Sequence, residues 1–248
     1  MDYEKRLGAA GKQLREYMAE RTGTQARDWF FTFRAREALQ VVCRQLYEAK
    51  GPGEVLTQLL TCSTVPEGIM AGGLKPRYLD IDEDTLAVRP ELVKRALGEG
   101  GDRQISDGEN VRALIYQHSY GIFDAASAKA LKEALRRAAG GGGAAGTNVA
   151  ASCCSLLIED CAHCALAMEK DWEDRPIADV SLHSFGVEKM IKTTFGAAVW
   201  VNPDMEEASV ISRPLKPICS RKSLMFSSFD RQPGRISLSS VSGLKNFV

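Results

Sequence analysis

The sequence predicts an α/β fold, a mostly parallel sheet flanked by helices. Two observations carry this. Short apolar segments alternate with helix-period segments from about residue 55 to residue 201. The composition is that of an ordinary globular chain, 248 residues long with 44% hydrophobic and 26% charged residues, enough to bury a substantial core in one large or two modest domains.

Residues 2–20 read as an amphipathic helix. "AREALQVVCRQLYEAK", 35–50, sets Leu39, Val42, Cys43 and Leu46 on one face and reads as a second helix, stopped by Gly51-Pro52-Gly53. The alternation then begins. Strands are expected at 55–61, 76–81, 111–117, 155–158, 180–185 and 197–201, with helices at 66–73, 90–97 and 125–138 between them. "GGGGAAGTNVAASCC", 140–154, reads as a flexible loop. Its glycines suggest a phosphate-binding turn, but no Gly-Lys-Ser/Thr follows, which argues against a P-loop. From Arg213 the composition changes: Arg213, Lys216, Arg221, Lys222, Arg231, Arg235 and Lys245 face the single acid Asp230, serines are frequent and periodicity is weak. The expected organisation is an N-terminal helical segment at 1–30, a large domain at 31–212 and an atypical tail at 213–248.

Acids and bases balance at 32 each, so no bulk field favours nucleic acid or a membrane surface. No apolar run approaches the ~20 residues that span a bilayer. The N-terminus shows no signal-peptide pattern, and the seven cysteines read as reduced thiols, so a cytoplasmic protein is expected.

In a parallel α/β sheet the chemistry collects beyond the carboxyl ends of the strands. "SLLIEDCAHC", 155–164, ends an apolar strand in Glu159-Asp160; the plain alternative for Asp160 is a helix N-cap. One strand later come Ser184 and, past a glycine, Lys189. An acid, a hydroxyl and an amine at neighbouring strand ends suit pyridoxal 5'-phosphate. The lysine would form a Schiff base, the acid would pair with the ring nitrogen, and the hydroxyl with helix N-terminal amides would hold the phosphate.

"FRAREALQ", "TCSTVPEGIMAGGLKPRYLDID", "HSYG", "LIEDCAH" and "SFGVEK…FGAAVWVN" follow one another in this order. Together they resemble the DegT/DnrJ/EryC1/StrS family of sugar aminotransferases over roughly residues 31–202. The resemblance implies the large domain of the fold-type I transferases that use pyridoxal phosphate. It implies a nucleotide-linked keto-sugar substrate, an amino donor such as glutamate, and a homodimer. Residue by residue, Lys189 matches the Schiff-base lysine, Ser184 the serine that helps bind phosphate, and Asp160 the partner of the pyridine nitrogen. His163 matches a residue beside the ring, Ala35 and Arg36 the turn whose amides hold the phosphate, and Cys62 a position where many members carry a stacking aromatic. The sequence departs from the family at Ala35, usually a glycine or small hydroxyl residue, where Arg36 is expected to supply compensating charge. It departs again at Cys62, at the alanines of "FGAAV", and in ending well before family members do. That last departure keeps open a shortened, inert relative that serves as a binding or assembly subunit.

Plainer readings stand beside these. Most lysines in loops are solvated, and Lys192 keeps that reading. His163 with Cys153, Cys154, Cys161 and Cys164 would be a zinc or redox cluster, although the paired-arm spacing of structural zinc sites is missing and no metal is expected. His118 ends a strand and lines the site or serves structure. His183 is expected on the strand face opposite Ser184.

Overall fold

A computed structural model describes residues 3–98, 111–140, 155–164 and 166–220 of the chain. Seven strands form one sheet: β1 (Trp29–Thr32), β2 (Glu54–Gln58), β3 (Lys75–Leu79), β4 (Val111–Gln117), β5 (Leu156–Asp160), β6 (Val180–Phe185) and β7 (Gly196–Val201), in the order β1-β7-β6-β5-β4-β2-β3. β3, β2, β4, β5 and β6 pair in parallel, whereas β7 runs antiparallel to both β6 and β1. Six strands therefore point one way and β7 opposes them. The mixed, mostly parallel sheet agrees with the expected fold class.

Strand alternation sorts the side chains onto two faces. On one, Leu156 and Ile158 of β5, Val180 and Leu182 of β6 and Val199 of β7 form a core with α2 (Ala35–Lys50), α3 (Thr64–Ala71) and α6 (Ala208–Ser220). On the other, Leu114 and Tyr116 of β4 and Leu157 of β5 meet α4 (Pro90–Ala96) and α5 (Ala125–Gly140). Further along that face, Trp29, Phe31 and Trp200 take up Met18 and Ala19 of α1 (Tyr3–Thr22). Helices thus cover both faces, as a parallel sheet requires.

Two elements lie where no element is expected from the sequence. β1 straddles residue 30/31, so the N-terminal segment contributes an edge strand to the sheet. α6 continues through Arg213, where the composition changes, and buries Ile211 and Leu215 against α2 and the sheet. Its two prolines, Pro214 and Pro217, mask the helical period, since proline removes a backbone donor and ordinarily interrupts a helix. The Gly-rich stretch from 141 and the tail from 221 lie outside the described residues. No helix among those described is long and apolar enough to cross a membrane.

Candidate active site

The parallel registers bring the ends of β4 and β5 level beside Leu182 of β6, which runs on to Phe185. Gln117 pairs with Asp160, and Asp160 with Leu182. Asp160 continues the face of Leu156 and Ile158, and Ser184 that of Val180 and Leu182, so both lie on the α2 side. Glu159 and Ser181 lie on the reverse side and bond to each other there, Ser181 Oγ donating to Glu159 Oε2 at 2.7 Å. His183 lies on that reverse side too, with its ring 5.2 Å from Trp29.

All seven sequence-predicted residues, Ala35, Arg36, Cys62, Asp160, His163, Ser184 and Lys189, line one cavity of about 350 Å³. They come from four separate segments of the chain. Lys189 follows β6 in a compact turn: the Gly186 carbonyl accepts from the Lys189 amide at 3.1 Å and the Thr193 amide at 3.4 Å, and the Gly186 amide donates to the Ile191 carbonyl. Ala35 and Arg36 open α2, whose N-cap, Arg34, makes no side-chain capping bond. The first amides of a helix have no intrahelical acceptor, and here that end of α2 faces the cavity. Arg36 does not bring free charge to the site: its Nη1 donates to Glu67 Oε2 at 2.5 Å.

Asp160 is buried. The Ala162 amide donates to its Oδ1 at 3.0 Å. Burial pushes its carboxyl above the usual range, opposed by the Ala162 amide and by the His163, Lys189 and His118 charges. His163 accepts the Tyr120 amide at Nδ1, at 3.2 Å, which leaves the proton on Nε2. Cys62 is exposed at the cavity wall, and Thr64 Oγ1 donates to its Sγ at 3.3 Å. The Thr64 hydroxyl and amide, with Lys189 and Arg36 nearby, hold the Cys62 thiol below its ordinary pKa against slight burial.

Several lining residues were not singled out from sequence: Arg34, Thr64, Gln117, Glu188 and Phe195. Thr64 sits inside "TCSTVPEG" and Arg34 inside "FRAREALQ", so both carry a signal only as neighbours of Cys62 and Ala35. Gln117 holds the Thr61 hydroxyl at 2.6 Å. His118 both lines the cavity and bonds Glu159, its Nε2 lying 2.8 Å from Oε1.

The alternative cysteine grouping is described only in part. Cys161 and Cys164 are buried, and Cys153 and Cys154 lie outside the described residues. Among the described residues, the group with ligand-like spacing is His118, Glu159 and Cys161, whose atoms lie within 4.8 Å of one another. Glu159 is already engaged at both oxygens, Oε1 by His118 and the Glu169 amide, Oε2 by Ser181, which leaves little capacity for an ion.

No family model matches the chain, and no curated protein does. Solved structures do. The sugar aminotransferase CalS13 from Micromonospora echinospora is 21% identical, with 82% of this chain and 48% of that one covered and a TM-score of 0.60. DesI, crystallised in the presence of its TDP-sugar product, is 24% identical, with 83% and 43% covered and a TM-score of 0.57. NtdA from Bacillus subtilis, with bound cofactor PMP, is 16% identical, with 81% and 38% covered and a TM-score of 0.59. The chain therefore has the fold of these proteins and spans less than half the length of each.

Proposed function

We propose that the chain is a pyridoxal-phosphate-dependent aminotransferase acting on a keto sugar, nucleotide-linked, with an amino donor such as glutamate, and that it works as a homodimer. One observation carries the reading: an amine, a buried carboxylate and an open helix N-terminus converge from distant segments on one cavity. Three neighbours support it: one described as a sugar aminotransferase, one crystallised in the presence of its TDP-sugar product and one with bound cofactor PMP.

The residues present fit the cofactor. Asp160 is a buried acid whose charge is disfavoured by burial, and a cationic ring nitrogen beside it would offset that cost. The N-terminal amides of α2 and the Ser184 hydroxyl, lining the same wall, suit a phosphate. Pyridoxal phosphate, when bound, supplies a reactive aldehyde and a ring that accepts an electron pair from the substrate carbon. Asp160 would keep the ring nitrogen protonated. Lys189 Nζ would bind the cofactor's carbonyl carbon, and its freed amine would carry a proton from the amino donor's α-carbon to that cofactor carbon. His163, lining the same cavity, would stand beside the ring with Nε2–H free to donate. Cys62 contributes a soft sulfur contact at the place of a stacking ring.

The test is spectroscopic. Purified chain mixed with pyridoxal phosphate should develop a visible band that glutamate removes and a nucleotide-linked keto sugar restores. No band would sink the cofactor reading. A stable band that no amino donor alters would favour the binding or assembly subunit instead.

A further inference from the structure

Two arginines flank Ala35 at the start of α2, and the structure gives them different surroundings. Arg36 is neutralised by Glu67. Arg34 is not: among the described residues it has no carboxylate within ion-pair distance, and its N–H groups donate to no protein acceptor. Its guanidinium is instead held by two aromatic rings. The central carbon lies 5.6 Å from the Phe33 centroid and 5.1 Å from the Phe195 centroid, and the two rings are 4.9 Å apart. Phe33 follows β1 and Phe195 precedes β7, so the rings come from chain segments joined only through the sheet. Both Arg34 and Phe195 line the cavity.

Stacking on a ring face uses the π-surface of a guanidinium and leaves its in-plane donors available. Those donors form a planar fork that matches the oxygens of a phosphate. Of the other two cationic side chains that line the cavity, Arg36 is paired with Glu67, and Lys189 is the amine assigned above to the cofactor's carbonyl carbon. We propose that Arg34, not Arg36, is the phosphate clamp of this cavity, positioned by Phe33 and Phe195 and seconded by the amides of Ala35 and Arg36. The proposal rests on the aminotransferase reading only in naming which phosphate is held, that of the cofactor or the diphosphate of a nucleotide-linked substrate.

Calorimetric titration of the wild type and Arg34→Gln with pyridoxal phosphate, pyridoxal and thymidine diphosphate tests it. Loss of a charge-assisted bond should weaken a phosphate ligand by about ten- to a hundredfold. Pyridoxal, which lacks the phosphate, should bind both proteins equally, and Arg34→Lys should recover only part of the loss. Weakening of pyridoxal phosphate alone assigns the clamp to the cofactor; weakening of thymidine diphosphate alone assigns it to the substrate. Unchanged affinity for both, or an equal loss for pyridoxal, overturns the proposal. A wild type that binds thymidine diphosphate through Arg34 but forms no visible band with pyridoxal phosphate keeps the clamp and overturns the proposed function. A wild type that binds neither phosphate overturns both.

Discussion

Behind the cavity, Glu159 sits about 1% exposed and accepts three hydrogen bonds, from His118 Nε2 at 2.8 Å, Ser181 Oγ at 2.7 Å and the Glu169 amide at 2.6 Å. His118 is equally buried and is wedged between Tyr116 and Phe123, with ring centroids 5.1 and 4.4 Å away. Replacing His118 with alanine leaves a buried carboxylate with two neutral donors and no counter-charge. Breaking a buried pair in this way costs about 3–5 kcal/mol. In a chain of this size 1 kcal/mol corresponds to roughly 2–4 °C, so His118→Ala should melt roughly 6–20 °C below wild type. Burial lowers the His118 pKa, but the hydrogen bond and charge of Glu159, with Cys164 and Glu169, outweigh it, and the net shift is upward. A raised histidine stabilises fully below its unfolded value of about 6.5, and that stabilisation is lost as pH rises through the folded pKa. The gap between wild type and His118→Ala should therefore be widest near pH 6 and narrow toward pH 9. Thermal melts at both pH values, on His118→Ala, Glu159→Gln and the double variant, measure it. A gap independent of pH, or single effects that simply add, would refute the pairing as a charged contact.

The other predictions concern the cavity itself. Asp160 has a raised folded pKa, so its contribution is fully present below the unfolded value of about 3.9 and lost as pH rises through the folded one. Without cofactor, Asp160→Asn should melt above wild type at pH 7 and lose that advantage near pH 3; with cofactor added, its transamination should fall by about 10²–10³-fold; a lower melting temperature at pH 7 would contradict this. Burial pushes the Cys43 thiol up to about 12, whereas Cys62 is held down. Peptide-mapped alkylation at pH 8 should thus label Cys62 well before Cys43, and pyridoxal phosphate should slow the labelling of Cys62. Equal rates would remove Cys62 from the cavity wall.

Much of the fold was legible because its signals are local. β4 and β6 coincide with their apolar runs, and α2 with its stripe of Leu39, Val42, Cys43 and Leu46. β1 was not, because four residues buried on both faces show no alternation. α6 was hidden by Pro214 and Pro217. In the site, the meeting of Asp160, Ser184 and Lys189 follows from parallel topology, which places successive strand ends side by side. The Arg34 seat does not, because it depends on β7 lying antiparallel between β6 and β1, a pairing that no short stretch of sequence encodes. The Arg36–Glu67 pair, which removes the charge that Arg36 was expected to supply, likewise joins residues from two helices.

The central claim is that Lys189 is the amine that holds the cofactor. The most direct measurement is borohydride reduction of the chain mixed with pyridoxal phosphate, followed by peptide mass mapping of the wild type and Lys189→Ala. A pyridoxyl adduct confined to the Lys189 peptide, and lost in the variant, is the expected result. An adduct on Lys192 or scattered over surface lysines, unchanged by Lys189→Ala, would contradict it.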